Sequence, residues 1–224
     1  MAMDYPGLAA DITVELANSN VPAGTGALSI TGWVNPDADG TADDQVIIAK
    51  SNTTGNGGAF KVQIEEPGNV LRGIINGDEL TGVGAVSPGV WTFFAMVYDG
   101  ANKTLFLNAV QDATEADVGG NIGTDADPLR LGGVKQNGGV ARELDGLLDD
   151  IRVYTRALSL AELQTIFNSL GVDGIVFGLH WRWVQNELSP GTAAVVVDSI
   201  IDLAGTFDGD PINSPVYAEG ILRI

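Results

Sequence analysis

The sequence predicts an all-β chain folded as two antiparallel sheets, with one short amphipathic helix near residues 159–170. Three observations carry that prediction. Short apolar runs with period-two alternation recur throughout, each bounded by Gly, Asn, Asp or Pro. Thirty glycines and nine prolines in 224 residues supply the intervening turns. Only one stretch keeps a helical period, and it carries its own start and stop signals.

The strands follow in order. In residues 12–16, Ile12, Val14 and Leu16 share one face. Residues 28–34 form a strand ended by Asn35-Pro36, and residues 45–50 form another. In residues 60–65, Phe60, Val62 and Ile64 share a face. Residues 70–75 run into Asn76-Gly77, a strong hairpin signal. Residues 91–98 are apolar almost without interruption, as a central sandwich strand would be. Asp99-Gly100 turns the chain into residues 104–108, and residues 129–131 and 147–154 complete the set before the helix. Regular spacing of this kind argues for a sandwich rather than βαβ units. In the helix, Ser159 is a natural N-cap and Glu162 completes a capping box. Leu160, Leu163, Ile166, Phe167 and Leu170 line one face, and Gly171 is the stop.

Length favours a single domain, residues 1–224, able to bury about 70% of its unfolded surface without staples. There is no cysteine, hence no disulfide and no thiol chemistry. The 29 Asp and Glu against 11 Lys and Arg, a net charge of −18, exclude nucleic acid and anionic membrane surfaces as partners. Many carboxylates (Asp37, Asp39, Asp43, Asp44, Asp125, Asp127) sit in turn-like runs, which read as solvated loops or as cation ligands. Residues 1–7 lack the basic segment and apolar core of a secretory signal, and no run approaches the ~20 apolar residues of a membrane helix. The expectation is a soluble chain assembled in the cytoplasm.

Several segments resemble one family. The run from Glu143 to Leu163, with Asp149-Asp-Ile-Arg-Val-Tyr-Thr-Arg-Ala-Leu-Ser at its centre, is similar to the G-x-I-D-D-V-R-I-Y-x-R-A-L-S signature of laminin-G-like jelly rolls. These belong to the concanavalin A-like lectins and glucanases. Ile30-Thr-Gly-Trp-Val-Asn-Pro, Trp91-Thr-Phe-Phe-Ala-Met-Val-Tyr-Asp-Gly and Leu105-Phe-Leu-Asn-Ala-Val resemble its core strands, with Ala109 where glycine is usual. The implied fold is a two-sheet antiparallel jelly-roll sandwich. Trp183-Val-Gln-Asn-Glu, the loop from Asp202 to Gly209, and Pro215-Val-Tyr-Ala-Glu-Gly resemble segments that normally open the family's fold. Residues 172–224 are therefore expected to complete the sandwich as a circular permutation, or to swap onto a neighbouring subunit.

The resemblance also frames the candidate sites. Glucanases of this fold carry an E-x-D-x-x-E strand; here Glu143-Leu-Asp145-Gly-Leu-Leu148 lacks the second glutamate. Alternation sends Asp149 and Asp150 to opposite faces, so they cannot flank one glycosidic bond at the ~5–9 Å that hydrolysis requires. Asp149 is expected to share the apolar face of Leu147, Ile151 and Val153 and to be buried, which demands a partner. The resemblance implies a structural calcium held by Asp149, Asp202 and Asp208; hydrogen bonding alone is the alternative. His180 is the only histidine, so no Ser-His-Asp triad can be assembled. Trp181 and Trp183 share a strand face and form either a sugar-stacking platform or core packing; Trp33 and Trp91 read as core. The glycine clusters lack the setting of a phosphate cradle and read as turns.

Two functions follow. The first is a non-enzymatic structural or decoration protein of a bacteriophage virion, homo-oligomeric, in contact with other virion subunits and able to bind host glycans. The acidic, cysteine-free composition suggests it, and residues 215–223 resemble the ending of phage structural proteins with this domain. The alternative is a carbohydrate-binding module of a secreted microbial protein, taking polysaccharide outside the cell.

Overall fold

A computed structural model describes residues 2–6, 12–14, 26–37, 43–51, 53–116, 122–123, 129–136, 139–184, 203, 210–211 and 216–218. In chain order the strands are β1 (Ala2–Pro6), β2 (Ile12–Val14), β3 (Leu28–Pro36), β4 (Gln45–Lys50), β5 (Phe60–Glu65) and β6 (Val70–Ile75). Then come β7 (Asp78–Ala85), β8 (Thr92–Tyr98), β9 (Asn102–Leu107), β10 (Val110–Ala116), β11 (Leu129–Leu131), β12 (Val134–Gln136) and β13 (Gly139–Ala141). The long β14 (Asp145–Tyr154) leads to the helix α1 (Leu160–Asn168), and β15 (Leu179–Trp183), β16 (Asp210–Pro211) and β17 (Val216–Ala218) close the chain.

These strands make two large antiparallel sheets. One runs β10-β9-β8-β3-β14-β1-β17, with β15 also on β14; the other runs β16-β2-β11-β4-β5-β6-β7. The expected all-β sandwich is therefore the observed one. Alternation explains each layer. On β5, Phe60, Val62 and Ile64 enter the core between the sheets, while Lys61, Gln63 and Glu65 face away. β8 is apolar on both sides because both sides are covered. Phe94, Met96 and Tyr98 join the inter-sheet core; Phe93, Ala95 and Val97 join a second cluster on the outer side of the eight-stranded sheet.

The helix α1 closes that outer side. The Ser159 capping box with Glu162 is present as the sequence predicts. Leu163 and Ile166 are fully buried, and the Phe167 ring stacks on Trp33 at 5.5 Å. Leu160, expected on the packed face, is half exposed because it lies at the first turn, outside the cluster. The Arg156 guanidinium bonds both oxygens of Glu162, at 3.0 and 2.6 Å. Residues after the helix return to both sheets of the same chain: β15 pairs with β14, β17 with β1 and β16 with β2.

Gly146 has a structural reason to be glycine. Its φ is +146°, and a Cβ there would lie 2.4 Å from the Asn35 carbonyl oxygen and 2.7 Å from the Pro36 Cα. Both are backbone atoms of the paired strand and cannot rotate away. Gly146→Ala is expected to destabilise the fold by at least about 2 kcal/mol in denaturant melts. Gly174→Ala, where a Cβ meets nothing within 4 Å, should stay within about 0.5 kcal/mol of the parent.

The Arg156 hydrogen bonds, aided by the Ser159 N–H and hydroxyl, hold the Glu162 carboxyl at about 2, below its ordinary 4.5, against an opposing desolvation. A depressed carboxyl stabilises the fold above its unfolded value and loses that contribution as pH falls. The acid-unfolding curve of Glu162→Gln should therefore lack the component that the parent loses between pH 4.5 and about 2.

Candidate functional site

The carboxylates singled out in the sequence lie on β14, and a β-bulge decides where they point. Register against β3 steps from Asp149 opposite Trp33 to Arg152 opposite Thr31, three residues against two, and Asp150 takes φ 49°. Strict alternation therefore fails. The inter-sheet core receives Leu148, Ile151 and Val153, while Leu147 is half-buried. Asp149 is fully buried as expected, but its cross-strand partner Trp33 belongs to the outer cluster, so it does not share the face of Ile151 and Val153. Asp150 turns outward as expected of it, so the bulge sets both aspartates on one side rather than on opposite faces.

There Asp150 meets a buried charge network. Arg152, 1% exposed, donates from Nη2 to Asp150 at 2.7 Å and to Asp173 at 2.7 Å, and from Nη1 to Asp173 at 3.0 Å. Arg182 Nε donates to Asp150 at 2.8 Å, and Arg182 Nη2 to the Gly171 carbonyl. Burial pushes the Asp173 carboxyl up, but the bonds and charge of Arg152, the Ile175 N–H and Arg182 outweigh it and hold it below the ordinary range. The Tyr154 hydroxyl, its own pKa raised by burial, donates to the Ile175 carbonyl at 3.0 Å. This network fastens residues 171–178 over the sheet.

Asp202 and Asp208 lie outside the described residues, and no cluster of metal-ligating side chains occurs among the described ones. Trp181 and Trp183 are corrected from platform to core. Both are 0% exposed in the inter-sheet cluster, stacked on each other at 6.0 Å, and offer no face to a sugar. His180 packs beside Trp181 at 4.4 Å. Asp145, near Glu143, has its carboxyl raised by burial and then by the charge of Asp37.

The arrangement that invites a ligand lies on the opposite sheet. Register across the seven-stranded sheet aligns Thr13, Arg130, Ala49, Lys61, Ile74 and Glu79 in one row over six strands. A neighbouring row holds Val46, Gln63, Arg72 and Thr81. From β11 to β7 these residues alternate with the core-facing ones, so they belong to the outer face; there Val46, Ala49, Lys61, Gln63 and Ile74 are buried, while Arg72, Thr81 and Glu79 reach solvent.

Asp44 accepts from Gln63 Nε2 at 2.7 Å and pairs with Arg142 at 2.8 Å. Glu65 accepts from the Arg72 guanidinium and from the Thr81 hydroxyl at 3.0 Å. Lys61 Nζ donates to the Thr53 and Gly55 carbonyls at 2.9 and 2.7 Å, and Asn56 donates to Glu79 at 2.9 Å, so residues 53–56 are pinned at the border of this face. Burial, then the charge of Arg142, lowers Lys61 from 10.5 to about 8 despite Asp44, with Arg72 adding to the effect. Sequence reasoning missed this face, although the polar residues interleaved on β5 and β6 were its signal.

A two-sheet antiparallel sandwich with a helix on one outer face and an exposed polar stretch, Arg72, Thr81 and Glu79, on the other is the architecture of a lectin-like jelly roll. The chain belongs to the concanavalin A-like lectin/glucanases superfamily, whose laminin-G-type family model matches residues 8–164. No curated protein matches the sequence. Among solved structures, a protein from Bacteroides ovatus ATCC 8483 described as carbohydrate-binding superposes with TM-score 0.73 at 17% identity, over 98% of this chain and 60% of its own. The chain thus spans 60% of that protein's length. The CBM40 of the Ruminococcus gnavus IT-sialidase, bound to α2,3-sialyllactose, gives TM-score 0.59 at 18% identity, over 75% of this chain and 98% of its own. Domain 4 of AbnA, a GH43 extracellular arabinanase from Geobacillus stearothermophilus in complex with arabinotriose, gives 0.54 at 18% identity, over 73% and 74%. At these identities the likeness establishes the fold.

The charge network makes a prediction of its own. Asp173→Ala leaves Arg152 with part of its charge unopposed in a dry site, so it should cost about 3–5 kcal/mol. Hydrogen exchange should quicken at the Ile175 amide, which donates to Asp173 at 2.9 Å. A loss confined within 0.5 kcal/mol, as for an ordinary surface site, would contradict the assignment.

Proposed function

We propose that this chain is a non-catalytic carbohydrate-binding module whose ligand lies across the outer face of the seven-stranded sheet. One observation carries the reading: on that face the pairing of β6 with β7 sets Arg72, Thr81 and Glu79, all reached by solvent, close together, while α1 and its cluster close the outer face of the other sheet. Sugar hydroxyls are recognised by planar polar groups held in place by neighbours. Arg72, fixed by Glu65 and partly exposed, is such a group, with the exposed Thr81 and Glu79 beside it.

Hydrolysis fits the face poorly. A glycosidase needs one carboxylic acid free to protonate the leaving oxygen and a second carboxylate across the bond. Asp44, Glu65 and Glu79 are each committed as acceptors to Gln63, Arg72 and Asn56 respectively. The relatives named above include carbohydrate-binding modules, which favours this reading over the virion role; nothing in the comparisons points to a virion. An extracellular polysaccharide is the partner it implies. Among the described residues no helix is long and apolar enough to cross a membrane.

Affinity electrophoresis and calorimetry against soluble polysaccharides test the reading. Binding should occur without release of reducing sugar. Thr81→Val, isosteric and on the face, should weaken it about three- to tenfold, the worth of one hydrogen bond. Thr165→Ala, on α1 behind the other sheet, should leave it unchanged. Failure of every saccharide to bind, or equal binding by Thr81→Val and the parent, would overturn the assignment.

A further inference from the structure

We infer that the sugar taken by this face carries a methyl group, as a 6-deoxy sugar or an N-acetyl sugar does, and that Val83 receives it beside the polar set of Arg72, Thr81 and Glu79. The inference rests on the reading of the seven-stranded sheet as the binding face, and adds the chemical class of the ligand.

The first support is the way β7 presents Val83, whose side chain is 81% exposed. It stands between Gly82 and Gly84, and a Cβ on either glycine would run into the Asp112 carboxylate. Val83 therefore projects from the opposite side of the strand, the outer side that Thr81 also takes. The Asp112 carboxylate accepts from the Val83 and Gly84 N–H groups at 3.0 and 2.7 Å. A single valine in contact with water is ordinary on a protein surface. The backbone under this one is fastened, so its methyl groups are in place before a ligand arrives.

The second support is its surroundings. Outward from β7 stand Glu79, Thr81, Val83 and Ala85, and β6 sets Arg72 opposite Thr81 and Val70 opposite Ala85. One end of this patch is polar: Asn56 donates to Glu79, and Arg72 and Thr81 both donate to Glu65. The other end is aliphatic, with Ala85 exposed and Val70 half-buried next to Val83. Thr81 and Val83 lie about 7 Å apart along the strand, so one hexose with its substituent reaches both ends.

The third is the kind of apolar contact available. Phe60, the one aromatic residue of β4 to β7, lies in the inter-sheet core. These strands thus offer no exposed ring on which the flat face of a pyranose stacks. Val83 offers a small convex pair of methyl groups, enough to cover a ligand methyl and little more. A hydroxyl or charged group placed against it would lose water without gaining a partner, whereas a methyl gains by leaving water. Arg72, Thr81 and Glu79 take the hydroxyls alongside.

The test uses the full chain, by calorimetry and NMR, with sugars paired so that one member bears the methyl. L-fucose is compared with L-galactose and L-rhamnose with L-mannose for a 6-deoxy methyl, and chitotriose with cellotriose for an acetamido methyl. At least one methyl-bearing member should bind about fourfold or more tighter than its counterpart, the worth of one methyl taken from water. Nuclear Overhauser contacts should join the ligand methyl to the Val83 methyl groups.

Val83→Ser should bring the members of that pair to equal affinity at unchanged melting temperature, since the side chain is exposed. Thr81→Val should weaken both members alike. If Val83→Ser melts early, the Overhauser contacts in the parent decide alone. Binding with equal affinity within every pair would overturn the inference and leave the binding module standing. Failure of all six sugars would overturn the inference, and failure across wider polysaccharides the module as well. A preference that survives Val83→Ser, or a ligand methyl with no contact to Val83, would place the methyl elsewhere and overturn the inference too.

Discussion

Arg152 carries a guanidinium into a place with almost no water, and the middle of the molecule is arranged around it. A buried cation is tolerated only when its hydrogen bonds and charge are matched. Asp150 can reach it because the chain bulges at Asp149–Asp150, bringing Asp150 to the same side as Arg152, two residues further on. Asp173 reaches it from beyond α1, and Arg182 from β15 supports Asp150 in turn. The bulge, the placement of residues 171–178 and the docking of β15 are therefore one requirement expressed three times. Because Trp181 and Trp183 flank Arg182 on β15, the same requirement presses both indoles into the inter-sheet core.

That arrangement explains what the sequence revealed and what it hid. Strands with a two-layer environment were plain: β5 alternates, β8 is apolar throughout, and each pattern maps onto the covers it has. The capping box at Ser159 is a local interaction, so local sequence was enough. Edge strands were not plain. β10, with little burial along it, and β7, broken by Gly82 and Gly84, offer no apolar stripe. They are fixed instead by a tertiary bond set: the Asp112 carboxylate accepts from the Val83 and Gly84 N–H groups at 3.0 and 2.7 Å, tying one sheet's edge to the other's. The bulge was hidden for a different reason. Alternation is a rule about unbroken strands, and the reason to break this one lies more than twenty residues away at Asp173.

Ala109, where the family resemblance leads one to expect glycine, follows the same logic. Asn108 and Ala109 both take positive φ, at 50° and 57°, as a tight hairpin turn requires. Ala109 is nevertheless buried, 3% exposed, in the cluster that holds Trp33, Phe93 and Phe106. Burial of the methyl group offsets part of the backbone strain, so a position that turn chemistry alone assigns to glycine accepts alanine.

The candidate site was the least legible part because it is a product of register. Arg130, Lys61 and Glu79 are far apart in the chain and have no shared motif; only the pairing of β11, β4, β5, β6 and β7 sets them in one row. The two sheets then divide the work. The eight-stranded sheet spends its outer face on the helix and the charge network, which makes it rigid and closed. Among the described residues the seven-stranded sheet receives no helix; Val134 of β12 packs with Val46 and Ala49 over part of its outer face, and Arg72, Thr81 and Glu79 stay within reach of solvent. The polar side chains left within reach of solvent are thus a consequence of asymmetric burial: the helix covers the outer face of one sheet, and the other keeps its exposed polar positions toward β6 and β7.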